Sequence, residues 1–212
     1  MPIYYPVFLN LQGRKCLVAG GGRIALRKAT SLLEHGADVT IVSPRLCKGL
    51  SKLADDGRIK VIHRAYRPGD IKGIHVAIVA TSNRAVNLSA AEEAKKRGVP
   101  VNVVDNPVLS DFIVPSIMRR GSLAIAVSTS GKSPALARKI RSRLEDDFGK
   151  EYASLVIVME EARRRVKRQR LKVSSGDWQE TIDLDSMIAL IRKGRSAEAV
   201  EALLERLRKC GK

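Results

Sequence analysis

The sequence predicts an α/β protein: a Rossmann-like doubly wound parallel sheet, followed by a small α+β dimerisation unit and a helical C-terminal region. Three observations predict it. Short apolar strands alternate with helical segments through the first half of the chain. The run Leu17-Val18-Ala19-Gly20-Gly21-Gly22-Arg23-Ile24-Ala25 breaks a strand on a glycine cluster and restarts at once as a helix. Val76-Ala77-Ile78-Val79-Ala80 is apolar without interruption, as a parallel strand buried on both faces requires.

Taken in order, residues 15–19 form the first strand behind an Asn10-Leu11-Gln12-Gly13 turn, and residues 23–33 form an amphipathic helix stopped by His35-Gly36. Residues 39–42 make the second strand and 59–62 a short third, before a Tyr66-Arg67-Pro68-Gly69-Asp70 turn and the strand at 76–80. Thr81-Ser82-Asn83 leads into a helix from Arg84 to Arg97 that Gly98 ends, and residues 101–104 form the next strand. Beyond Phe112-Ile113-Val114-Pro115 the pattern changes to a strand at Leu123–Val127, a Ser/Thr/Gly loop, and a helix with Leu136, Ile140, Leu144 and Phe148 four residues apart. From Glu151 the chain reads as three helical pieces broken at Ser174-Ser175-Gly176 and Lys193-Gly194-Arg195, with Ser196 as N-cap of the last. The expected domains are 1–112, nucleotide-binding; 113–150, a dimerisation and substrate-cleft unit; and 151–212, helical.

A chain of 212 residues that is 44% hydrophobic can bury a globular core, which excludes general disorder. No apolar run reaches the roughly 20 residues that span a bilayer. The chain starts into Val7-Phe8-Leu9 without a cleavable signal pattern, so a cytoplasmic location is expected. Cys16, Cys47 and Cys210 share no close spacing and His35, His63 and His75 are scattered, so neither a disulfide framework nor a metal site is expected. The net charge of +17, spread along the whole chain, points to a polyanionic partner. No acid interrupts Arg119, Arg120, Lys132, Arg138, Lys139, Arg141 and Arg143 between Asp111 and Glu145. Aromatic residues are only 4% and no helix-turn-helix pattern occurs, which argues against nucleic acid as that partner.

Gly20, Gly22 and Ala25 fill the GxGxxG/A fingerprint: a tight turn, room for a pyrophosphate, and a close helix–strand contact. With Gly21, Arg23 and Ile24 they form a turn whose helix N-terminus faces phosphates, and NAD is the expected cofactor. Ligands of such sheets sit outside the carboxyl ends of the strands, so Ser43, Pro44, Thr81 and the Asp105-Asn106-Pro107 exit should line one crevice with the glycines. The acid expected at the end of the second strand is missing. Arg45 stands nearby, either to accept the 2′-phosphate of NADP or to face solvent. Asp105 is either a catalytic carboxylate or an ordinary turn residue, and Asp111 is its rival. Gly131-Lys132-Ser133 is not a P-loop, because Ala126 occupies the position of the required glycine. Ser128, Thr129, Ser130, Lys132 and Ser133 instead form an anion site at a helix N-terminus, or simply a capped helix with Pro134 at its first position.

With the glycine run, Asn102-Val103-Val104-Asp105, Phe112-Ile113-Val114-Pro115-Ser116, Ala126-Val127-Ser128-Thr129-Ser130-Gly131 and Ser133-Pro134-Ala135-Leu136-Ala137-Arg138, the chain resembles the precorrin-2 dehydrogenases of sirohaem synthesis. These are stand-alone relatives of the N-terminal half of multifunctional sirohaem synthase, and the likeness covers residues 3–150. The resemblance implies NAD-dependent oxidation of precorrin-2 to sirohydrochlorin, with Asp105 as proton acceptor or relay. It also implies a homodimer that pairs or exchanges its middle unit. Some relatives are ferrochelatases as well, inserting ferrous iron into the product, and the residues do not separate the two cases. Two other readings stand beside it: an NAD-sensing nucleic-acid-binding regulator, which the charge supports, and a dehydrogenase of small acids.

Overall fold

The chain divides into two compact units, Met1–Val114 and Pro115–Lys212, and the computed structural model describes residues 3–210 of it. In the first unit β1 (Lys15–Ala19), α1 (Arg23–Glu34), β2 (Asp38–Val42), α2 (Lys48–Asp55), β3 (Lys60–Ile62), β4 (Val76–Val79), α3 (Arg84–Arg97) and β5 (Val101–Val103) follow one another. The five strands are all parallel, in the order β3-β2-β1-β4-β5. Strand pleating explains the two layers. Cys16, Val18, Val39, Ile41, Val76 and Ile78 face α1 and α2. Leu17, Ala19, Val42, Ala77, Val79, Val101 and Val103 face α3. The helices press close because they meet the sheet through small residues, Ala25 and Ala29 on α1 and Ala90, Ala91 and Ala94 on α3. The strand order reverses between β1 and β4, so the crevice of the doubly wound fold opens at their carboxyl ends.

The expected helix limits hold where capping chemistry marks them. The Asn83 side chain accepts from the Ala85 and Val86 N–H groups at 3.0 and 3.2 Å, and Gly98 ends α3 in the left-handed region at φ +65°. Helix α2 was not expected. Its eight residues are too few for a period to stand out, although Leu50 is fully buried against the same cluster as α1. Cys16 is buried in that cluster, and burial pushes its thiol up to about 11.

The second unit holds β6 (Ser116–Arg120), β7 (Leu123–Val127), α4 (Pro134–Asp147), α5 (Glu151–Arg168), α6 (Ser175–Thr181), α7 (Leu184–Arg192) and α8 (Ser196–Cys210). Only the second strand of the β6–β7 hairpin was expected. The pair closes on Gly121, at φ +57°, and Ser122. Arg120, expected among the anion-facing residues, instead donates to the Phe148 and Glu145 carbonyls, each at 2.8 Å, and so satisfies the C-terminal end of α4. Ser133 caps α4 as expected, accepting from Leu136 N–H at 3.2 Å with Pro134 behind it. Leu136 and Ile140 remain exposed on α4.

Helices α5 to α8 share one core of Leu155, Val158, Ala162, Ile191, Leu203, Leu204 and Leu207. Trp178 packs partly against that core, with the Arg163 guanidinium 5.7 Å from its ring centre. Among its described residues the region has four helices rather than the three expected, because Asp183 caps α7 by accepting from Ser186 N–H at 3.1 Å and so divides the middle piece. Ser196 is the first helical residue of α8 and not its cap; the Arg195 carbonyl already accepts from Ala199 N–H. No helix among the described residues is long and apolar enough to cross a membrane.

Candidate cofactor and catalytic site

The three adjacent glycines meet different surroundings. Gly20 N–H donates to the Val42 carbonyl at 2.9 Å, which pins the turn to β2. Its φ is +127°, and a Cβ there would lie 2.3 Å from the Ala80 carbonyl oxygen. A Cβ on Gly21 would lie 1.8 Å from the Arg45 carbonyl oxygen, so the turn after β2 requires that glycine too. Gly22 differs: its φ is −87°, which any residue adopts, and among the described residues nothing beyond its chain neighbours and its own helix lies within 4 Å of an added Cβ. The fold leaves space at Gly22 that it does not use.

Gly22 is also the N-cap of α1, and no side chain caps that helix. The first-turn N–H groups of Arg23, Ile24 and Ala25 therefore have no capping side chain, and the positive end of the helix dipole points outward beside an open glycine. Ala25 is fully buried and serves the close helix–strand contact. These features fit the pyrophosphate of a dinucleotide. Ser43 is buried and its hydroxyl donates to the Arg45 carbonyl at 2.7 Å, while Pro44 and Arg45 are exposed at that strand end. Thr81 donates to Asn87 Oδ1 at 2.6 Å and accepts from Asn83 N–H at 3.2 Å, which orders the start of α3.

Asp105 follows β5 in the left-handed region at φ +58°, exposed and with no side-chain hydrogen bond among the described residues. The turn after β5 is held by its neighbours. Asn106 Oδ1 accepts from Leu109 N–H at 3.3 Å, and the Ser110 hydroxyl donates to the Asn106 carbonyl at 2.8 Å. Asp111 accepts from Val101 N–H at 3.0 Å and so ties the edge of β5. A left-handed non-glycine residue costs about 1–3 kcal/mol and concentrates at functional sites.

Lys28, which the sequence reading passed over, is half-buried on α1 between Ala25 and Leu32. Burial pushes its ammonium down, Arg27 adds to that, and the charge of Asp105 opposes it. A lysine three residues from a buried alanine was the available signal.

In the second unit, the loop residues expected to hold an anion largely hold each other. Ser128 Oγ accepts from Ser130 N–H at 3.0 Å, Thr129 Oγ1 accepts from Ser133 N–H at 2.9 Å, and Ser130 is left-handed at φ +52°. Lys132 is exposed at the tip.

The family model described as NAD(P)-binding matches residues 7–116, and the model described as sirohaem biosynthesis protein central matches residues 120–147. The chain is 37% identical over 204 residues to the sirohaem synthase of Methylococcus capsulatus, covering 95% of this chain and 43% of that one. It is 43% identical over 164 residues to the sirohaem synthase of Methylobacillus flagellatus, covering 77% of this chain and 35% of the relative. The chain thus spans less than half the length of these relatives. Among solved structures, SirC, precorrin-2 dehydrogenase, superposes with a TM-score of 0.75 at 28% identity, covering 95% of this chain and all of that one.

Proposed function

The chain belongs to the NAD(P)-binding family matched over residues 7–116, and from that premise we propose that it oxidises precorrin-2 to sirohydrochlorin with NAD, Asp105 taking up the proton. One observation carries the reading: a glycine whose open side the fold does not need, at an uncapped helix end, in a unit that also holds a left-handed carboxylate without a hydrogen-bond partner among the described residues. The dinucleotide, when bound, supplies the hydride acceptor. Gly22 and the first-turn N–H groups of α1 hold its phosphates, with Gly20, Gly21 and Ala25 shaping the turn and Arg23, Ile24, Pro44, Ser43 and Thr81 around it. Oxidation of the macrocycle removes a hydride and a proton in net terms, and the Asp105 carboxylate accepts the proton. Within the second unit, Lys132 and the N-terminal end of α4 form an anion site of their own, held in shape by Ser128, Thr129, Ser130 and Ser133.

The enzyme works in the cytoplasm, in keeping with its three free cysteines. It works as a homodimer. A two-stranded sheet is marginal by itself, and the exposed Leu136 and Ile140 offer an apolar face beside β6–β7.

The test supplies anaerobic precorrin-2 with NAD or NADP and follows the sirohydrochlorin spectrum together with reduced cofactor. Asp105→Asn should lower turnover by about 10²–10⁴-fold, the usual worth of a general base, and leave NAD affinity unchanged. Full turnover by that variant removes Asp105 from the mechanism. Ferrous iron added to the same cuvette tests for the ferrochelatase activity.

A further inference from the structure

The loop that leaves β2 lies directly against the glycine turn. A Cβ on Gly21 would lie 1.8 Å from the Arg45 carbonyl oxygen and 2.5 Å from Ser43 Oγ. Gly20 N–H donates to the Val42 carbonyl at 2.9 Å and Cys47 N–H donates to the Gly21 carbonyl at 2.8 Å, so residues 43–46 are tied to that turn at both ends. Between the ties, the Ser43 hydroxyl donates to the Arg45 carbonyl at 2.7 Å. The backbone of Arg45 is thus fixed beside the fingerprint. Its residue is exposed, and its guanidinium makes no hydrogen bond or ion pair among the described residues.

In a doubly wound fold whose first turn holds a pyrophosphate, the adenosine ribose reaches the end of the second strand, where a carboxylate accepts from its 2′-hydroxyl or an arginine receives a 2′-phosphate. No Asp or Glu occurs between Asp38 and Asp55. Asp38 opens β2 at the opposite end of the strand and is paired with Lys60 at 2.8 Å. The adjoining end of β3 supplies no free acid either: His63 and Arg64 follow it, and Asp70 accepts from Arg64 at 2.6 Å. The repulsion by which an acid would reject a 2′-phosphate is therefore missing. Ser43 has its one proton committed to the Arg45 carbonyl, so it can accept from a ribose hydroxyl but has nothing to donate to a phosphate. That leaves the guanidinium, whose planar fork suits a phosphate.

We propose that Arg45 is a specificity-determining residue of the dinucleotide site, its guanidinium receiving the 2′-phosphate of NADP, so that the chain binds NADP at least as tightly as NAD. The inference rests on the assignment of the glycine turn to the dinucleotide made above and adds which dinucleotides that turn admits.

Calorimetric titration of the full chain with NAD and with NADP, at one ionic strength, tests this on the wild type, Arg45→Ala, Arg45→Asp and Lys48→Ala. The wild-type Kd for NADP should equal or fall below that for NAD. Arg45→Ala should weaken NADP by about tenfold or more and leave NAD within about twofold, and Arg45→Asp should weaken NADP further while NAD holds or gains. Lys48, the first residue of α2, is the neighbouring cation, and its removal should leave the ratio of the two Kd values within about twofold. NAD binding with NADP more than about tenfold weaker in the wild type overturns this inference alone. So does an equal loss of both dinucleotides in Arg45→Ala, or a loss of NADP in Lys48→Ala as large as that in Arg45→Ala, which would make the preference a diffuse effect of the basic surface. If neither dinucleotide binds the wild type, the assignment of the glycine turn falls and this inference with it. Thermal melts of each variant separate misfolding from these outcomes.

Discussion

Of Gly20, Gly21 and Gly22, only the last is free of its neighbours. Gly22→Ser places a hydroxymethyl group where the phosphates are proposed to bind and gives α1 the side-chain cap it lacks. The expected result is a melting temperature equal to or above that of the wild type, with NAD affinity at least about tenfold weaker, measured by calorimetric titration. Gly20→Ala forces a side chain onto the Ala80 carbonyl in a strained backbone region and should cost about 1–3 kcal/mol of stability, read in a denaturant melt. Equal stability in the two variants would refute this division. The fingerprint itself was legible because glycine spacing encodes it. Its spacing also gave Gly22 the room for a pyrophosphate; what it could not show is the contacts that require Gly20 and Gly21, since those are the Ala80 and Arg45 carbonyls brought in from elsewhere in the chain. For the same reason the sequence identified Ser43 and Thr81 as hydroxyls at strand ends but could not show that Arg45 and Asn87 engage them.

Elements with a chemical marker at each end were readable, as α3 shows between Asn83 and Gly98. Elements without one were not: α2 is too short for periodicity, and β6 hid behind Arg119 and Arg120, whose charges read as surface. The connection from β3 to β4 is fastened to α3 through Glu93, which accepts from the Tyr66 hydroxyl, the Gly69 N–H and Arg97. Burial alone would raise Glu93, but those three donors bring it below the usual carboxylate range; a hydrogen bond from Arg64 does the same for Asp70. Both folded-state values are depressed, so the stability they contribute is complete above the ordinary carboxylate range and is lost as pH falls through the folded values. Glu93→Gln should therefore be about 1–3 kcal/mol less stable at neutral pH and should lose less on acidification than the wild type. Thermal melts at neutral pH and at about pH 4 check this, and parallel pH slopes would contradict it.

Across the whole molecule, +17 charges meet a proposed substrate carrying many carboxylates. Long-range attraction of this kind is screened over about 10 Å at 0.1 M salt. The kcat/KM for precorrin-2 should accordingly fall as salt rises from about 0.05 to 0.5 M, with kcat nearly constant. A flat dependence would mean that the field does not steer the substrate. The charge was legible from composition alone, whereas its pairing was not: Arg165 is engaged by Glu161 and Glu201, and Arg163 lies over Trp178. That indole is the single tryptophan of the chain. Light absorbed at the red edge of the aromatic band, where tyrosines are transparent, is thus re-emitted only from the four-helix region. A denaturant ramp followed by its colour becomes a gauge of that region alone, with no label attached.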